Sequence, residues 1–222
     1  SVSRAEPLKV INLLHLNFAR DWKLFWPIFI AIITLLAVPN FLIKTILGNL
    51  YNNNSDISLF LNIHELSKEL SDQYGYHIDV PNFLNIFSLA NLSHGVQFYL
   101  SFNNYDYMVD KSFGTFNNIS SAMIILPILA LFVSGIVLGM VAKKNSLSIM
   151  KGIIVSVFLY VSFMLVSSFL ADTELAVNAG DRFKVSLIYS KKDALFSSFI
   201  LSSLLISFSA LLSYHFGNIK QL

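Results

Sequence analysis

The chain has 222 residues, of which 55% are hydrophobic and only 13% charged, where an ordinary globular domain carries about 25% charged residues. No cysteine is present, which excludes a disulfide framework, a thiolate metal site and a cysteine nucleophile. The net charge of +2 carries information only once it is divided between the loops.

Residues 1–23 show no positive n-region, short apolar core and small-residue cleavage site, so no signal peptide is expected there. Val10, Leu13, Leu14, Phe18 and Trp22 fall at helical spacing. This predicts an amphipathic helix lying in the membrane interface, either feeding the first span or meeting a partner or lipid surface.

Four apolar blocks are each long enough, at about 20 residues, to cross a hydrocarbon core of roughly 30 Å. The first span is read as 24–47 and contains Pro27 and Pro39, with a kink expected near Pro39. A proline is tolerated at that depth when neighbouring helices satisfy the freed carbonyl. The second is 121–142, followed at once by Lys143 and Lys144. The third is 152–171, and the fourth, 195–216, ends in Tyr214 and His215, whose polar-tipped rings suit the interface.

The segment 48–120 is too long for a structureless loop and reads as a small folded domain. A helix is expected over 56–73, with Phe60, Ile63, Leu66 and Leu70 on one face, then a short strand over 76–80 and a second short helix over 82–92. In 95–102, Val96, Phe98, Leu100 and Phe102 alternate with polar or amphipathic residues, the pattern of a half-buried strand. The segment 172–194 reads as a hairpin, with strands at 174–177 and 182–190 around the turn at 178–181. The two strand-bearing segments lie on one side and are expected to pack together in one α+β cap.

Orientation follows from the basic residues, because short loops rich in Lys and Arg stay cytoplasmic. The N-terminus, the 143–151 loop and the 217–222 tail carry eight basic residues against two acids, whereas 44–120 and 172–194 carry seven against eleven. Both termini are therefore expected in the cytoplasm of a cell that carries the chain in its plasma or inner membrane, with 48–120 and 172–194 outside.

Gly135 and Gly139 form a small-xxx-small motif that lets a neighbouring helix approach closely, inside the bundle or in another subunit. The fourth block is rich in serine, Ser203 and Ser207 among them, and serines can join helices by hydrogen bonds or line a polar path. The middles of the second, third and fourth blocks hold no ionisable side chain of the kind that marks ion pathways. An ion-coupled transporter or an intramembrane protease is not expected.

His64, His77 and His94 fall in the outer segment without the spacing of a metal motif, and no phosphate loop, dinucleotide fingerprint or nucleic-acid patch is present. No catalytic residue, metal or cofactor is assigned, and the chain is not expected to be an enzyme. Asn53, Asn91 and Asn118 open Asn-x-Ser triplets on the outer side, which matter only in a glycosylating host. Tyr99, Tyr105, Tyr107, Phe113 and Phe116 cluster between the strand and the second span. They read either as core and interface residues or as a surface that docks a partner.

The expected fold is a mainly α membrane protein: four transmembrane helices, a small extracytoplasmic α+β cap and an N-terminal interfacial helix. Its order of span, large outer domain and three further spans resembles the permease subunits of mechanotransmission-type ABC exporters in topology. That resemblance implies a permease subunit that works with a separate ATPase. The loop at 143–151 is short for a surface gripping one, and an ordered coupling surface formed from 5–23 and 143–151 would favour this reading. The other reading is a non-enzymatic accessory, assembly or sensor subunit whose cap binds a partner, with the bilayer, other membrane subunits or further copies of the chain around it.

Overall fold

A computed structural model describes residues 21–51, 72, 86–96, 98–104, 107–112, 119–175 and 183–216. The expected interfacial helix over 5–23, the helix over 56–73 and the strand over 76–80 fall almost wholly outside these residues. Five α-helices and four strands are described: α1 (Trp26–Tyr51), α2 (Ile86–Ser93), β1 (Phe98–Asn104), β2 (Tyr107–Ser112), α3 (Ile119–Lys144), α4 (Ile149–Leu170), β3 (Thr173–Leu175), β4 (Phe183–Tyr189) and α5 (Lys191–Phe216). One 3₁₀ turn, Trp22–Leu24, leads into α1.

Helices α1, α3, α4 and α5 are long and apolar enough to cross a membrane, and the chain is a multi-pass membrane protein. Each overruns the block read from the sequence by a few residues, because helices extend into the interfacial zone beyond the hydrocarbon core. At 26 residues, α3 and α5 are about 39 Å long at 1.5 Å per residue. Pro39 and Pro127 lie inside α1 and α3, and α1 continues past Pro39 to Tyr51. Large apolar side chains such as Ile33, Leu129, Phe158 and Phe208 are more than half exposed along the outer faces of the four helices. A belt of that kind is stable only against lipid.

The interior is built from the opposite faces. Leu24, Ile28, Leu35, Leu131, Leu138, Tyr160, Met164 and Ile206 form its buried core. On α5, Ala194, Ser198, Ser202, Ile206, Ala210 and Ser213 recur at intervals of three and four and are buried. Small residues in that row let α5 lie close to α3 and α4. The serines satisfy themselves locally, Ser198 Oγ donating to the Ala194 carbonyl at 2.6 Å and Ser209 Oγ to that of Leu205 at 2.6 Å.

Residues 145–148 join α3 to α4, and Ser148 caps α4 by accepting from the Lys151 amide at 3.4 Å. At the opposite end, the segment between α1 and α3 and the segment between α4 and α5 meet in one antiparallel sheet of order β2-β1-β4-β3. Phe98 pairs with Tyr189 and Asn104 with Phe183 across β1 and β4. Tyr99 pairs with Ser112 and Asn104 with Tyr107 in the hairpin of β1 and β2, and Thr173 with Leu187 across β3 and β4. Strand β1 starts three residues later than the alternation suggested, because Gly95 and Val96 close α2 instead.

Candidate functional site

Helix α2 is the element that shapes the site. Its eight residues alternate apolar Ile86, Phe87, Leu89, Ala90 and Leu92 with Ser88, Asn91 and Ser93, and the last six are all buried. It packs against α1, α3 and α4, so polar and apolar sides alike are covered by the bundle. The helix ends in a Schellman motif: the Val96 amide donates to the Asn91 carbonyl at 3.1 Å and the Gly95 amide to that of Leu92 at 3.0 Å. Gly95 takes φ +67°, the left-handed conformation this ending requires.

Buried polar groups must find partners, and those of α2 find them on α4. Ser88 Oγ donates to the Ala171 carbonyl at 3.4 Å, and Asn91 Nδ2 donates to Ser167 Oγ at 3.1 Å and to the Phe87 carbonyl at 2.9 Å. His94 follows. Its Nδ1 lies 2.8 Å from the Ala90 carbonyl, which can only accept, so Nδ1 carries the proton and Nε2 is the acceptor. Tyr160 Oη donates to that Nε2 at 2.6 Å, from a position midway along α4. Burial holds the imidazole well below its ordinary pKa of 6.5, with the bond to Ala90 opposing the shift. The Asn91 Oδ1 and Ser156 Oγ atoms are buried without a partner among the described residues.

A second set of contacts fastens the sheet to the spans. Asp172 accepts the Tyr189 amide at 2.8 Å and pairs with Lys191, whose Nζ also donates to the Ser168 carbonyl at 2.9 Å and lies 4.9 Å from the Phe169 ring centroid. Tyr189 is buried, and that burial pushes its hydroxyl well above the ordinary phenol pKa, with Ser88 opposing the shift and Asp172 adding to it. At the far end, Lys151 pairs with the buried Asp21 at 2.7 Å and Lys23 donates to Asn145 Oδ1 at 3.3 Å. Trp22 and Trp26 stand edge to face there, 5.5 Å apart and half exposed.

The residues singled out in the sequence are placed as follows. Gly135 and Gly139 both face α5: an added Cβ on Gly135 would fall on the Ser209 hydroxyl and 2.9 Å from the Ile206 carbonyl oxygen, and one on Gly139 would meet Ser213, Ala210 and the Tyr214 amide. Ser213 Oγ donates across this contact to the Ile136 carbonyl at 2.8 Å. Ser203 and Ser207 are only half buried and lie off the buried row of α5. Tyr99 pairs with Ile188 in β4, and Tyr107 opens β2 opposite Asn104, at the other end of β1. Tyr105, Phe113 and Phe116 fall outside the described residues. Asn91 is fully buried, so its Asn-x-Ser triplet is closed to glycosylation.

His94, read from the sequence as one of three outer histidines, is instead packed against the spans. Its signal was a helical spacing of polar residues, Ser88, Asn91 and His94, inside an apolar run. Among the described residues no three of His, Cys, Asp and Glu gather as a metal site would need. Comparison with protein-family models, with curated proteins and with solved structures finds no match to this chain.

Proposed function

We propose that the chain is a non-enzymatic membrane subunit, an accessory, assembly or sensor component whose sheet-bearing cap lies outside the cell and docks a partner. The observation that carries this reading is the double fastening of the cap. Asp172 and Lys191 hold the sheet to α4 and α5, and Ser88, Asn91 and His94 bond α2 and its C-terminal end to α4 and its C-cap, from Tyr160 to Ala171. Packed and hydrogen-bonded contacts of this kind give a docking event on the sheet a physical route to the spans. The basic residues Lys23, Lys143, Lys144 and Lys151 at the opposite end support a cytoplasmic placement for the loop at 145–148 and both termini.

The second reading is a permease subunit working with a separate ATPase, and one observation favours it. The Asp21–Lys151 and Lys23–Asn145 contacts tie residues 21–23 to the start of α4 and to the loop between α3 and α4, the kind of ordered surface such an ATPase would grip.

Recovery of the tagged full chain from its native membrane in mild detergent, with bound proteins identified and counted, separates the two. A recurring membrane or extracellular partner without an ATPase supports the first reading. A stoichiometric ATPase replaces it with the second, and a homo-oligomer alone removes the need for either partner.

A further inference from the structure

We propose that His94 is a proton-binding latch: a proton added to its imidazole releases α2 from its seat among α1, α3 and α4. The proposal stands independently of what the cap docks.

In the seated state the neutral ring uses both nitrogens, Nδ1 donating to the Ala90 carbonyl at 2.8 Å and Nε2 accepting from Tyr160 Oη at 2.6 Å. Protonation turns Nε2 into a donor, so the Tyr160 hydroxyl loses the acceptor for its proton while a cation is created in a site with 8% residual exposure. A buried cation is tolerated when an anion pairs with it. Among the described residues none is available on the helices packed around it. No Asp or Glu occurs in 24–51, 86–94, 119–144 or 149–170. The titratable groups there are Tyr160 on α4, Lys44 and Tyr51 on α1, and Lys143, Lys144 and Lys151 at the far ends of α3 and α4, so every charge among them is positive.

Release has a short path. Helix α2 is a single element of eight residues, capped by the left-handed Gly95 and held to α4 by three side chains. Water is the environment in which the imidazolium is well solvated, and the strands that follow α2, β1 and β2, belong to the sheet and not to the bundle of spans. The ligand class is therefore the proton, and the consequence is undocking of α2.

Because the chain has no cysteine, a single Ala90→Cys substitution in the full chain reports the state of α2 directly. Its labelling by a methanethiosulfonate reagent is measured in proteoliposomes at pH 7.5 and 5.0, each rate divided by that of the same variant unfolded at the same pH. Ser146→Cys, on the exposed loop, is the reference. We expect at least tenfold protection of position 90 at pH 7.5, lost at least tenfold at pH 5.0, with position 146 changing less than twofold. The pH response disappears in Ala90→Cys combined with His94→Gln. Equal protection at both pH values, or a pH response that survives His94→Gln, overturns the proposal. If that double variant does not fold, Tyr160→Phe serves: it removes the hydroxyl that donates to the neutral ring and so weakens the seated state, the pH of half-release must rise, and an unchanged midpoint overturns the latch.

Discussion

Lys151 Nζ and Asp21 Oδ2 stand 2.7 Å apart, with the carboxylate side chain 2% exposed and the ammonium 12%. The pair crosses 130 positions of sequence and fixes the entry of α1 against the start of α4. Breaking a pair this buried costs about 3–5 kcal/mol, because the remaining charge stays desolvated and loses its closest opposite charge. Lys151→Met is therefore expected to lower stability by about 3 kcal/mol in detergent unfolding experiments. Restoring neutrality with Asp21→Asn in the same chain recovers more than half of the loss.

The contact between α3 and α5 leaves no room for a methyl group at Gly135 or Gly139, because part of what a Cβ would meet is backbone: the carbonyl oxygens of Ile206 and Ala210. Overpacking of this kind costs about 1–3 kcal/mol. Gly135→Ala and Gly139→Ala should each lower the thermal midpoint, and Ser209→Ala should rescue Gly135→Ala only in part, since the Ile206 carbonyl remains. Thermal aggregation of the purified variants measures both effects.

Ser146 ends α3 with φ +51°, and the Leu147 amide closes the turn on the Ala142 carbonyl at 2.8 Å. Glycine adopts that conformation without the Cβ penalty, roughly 1 kcal/mol. Ser146→Gly is expected to stabilise the chain by about 1 kcal/mol, whereas Ser146→Val destabilises it, read by the same thermal midpoint.

Asp172 serves two partners of unequal weight. Its pair with Lys191 is partly solvated and contributes about 1 kcal/mol or less. Its bond to the Tyr189 amide satisfies a donor on a buried residue, whose loss costs about 1–3 kcal/mol. Asp172→Asn, which keeps an acceptor, should change stability by under about 1 kcal/mol. Asp172→Ala should lose about 2 kcal/mol and expose β4 to limited proteolysis.

The spans were legible in the sequence because lipid imposes one requirement on every residue of a block, and length with apolarity suffices to reveal it. The alternation of Phe98, Leu100 and Phe102, and of Phe183, Val185 and Leu187, marked β1 and β4 for the same reason, since a pleated strand imposes a period of two. Strand β2 was not legible: Tyr107–Ser112 mixes Tyr, Met, Val, Asp, Lys and Ser, with no period to read. The seat of α2 was hidden more deeply. Ser88, Asn91 and His94 look solvent-facing by residue type, and their burial depends in part on the carbonyl of Ala171 and the hydroxyls of Ser167 and Tyr160, more than 60 positions away. Which serines of α5 face inward depended likewise on the rotation of the helix, which places Ser209 and Ser213 rather than Ser203 and Ser207 against the glycines of α3.

The proposed sidedness places the sheet outside the cell and the loop at 145–148 in the cytoplasm, and one measurement tests it most directly. Single cysteines introduced by Asn104→Cys in β1 and Ser146→Cys in the loop are exposed to a membrane-impermeant maleimide on intact cells. Position 104 is expected to label at once, and position 146 only after permeabilisation. Labelling of both positions on intact cells, or of position 146 alone, would contradict it.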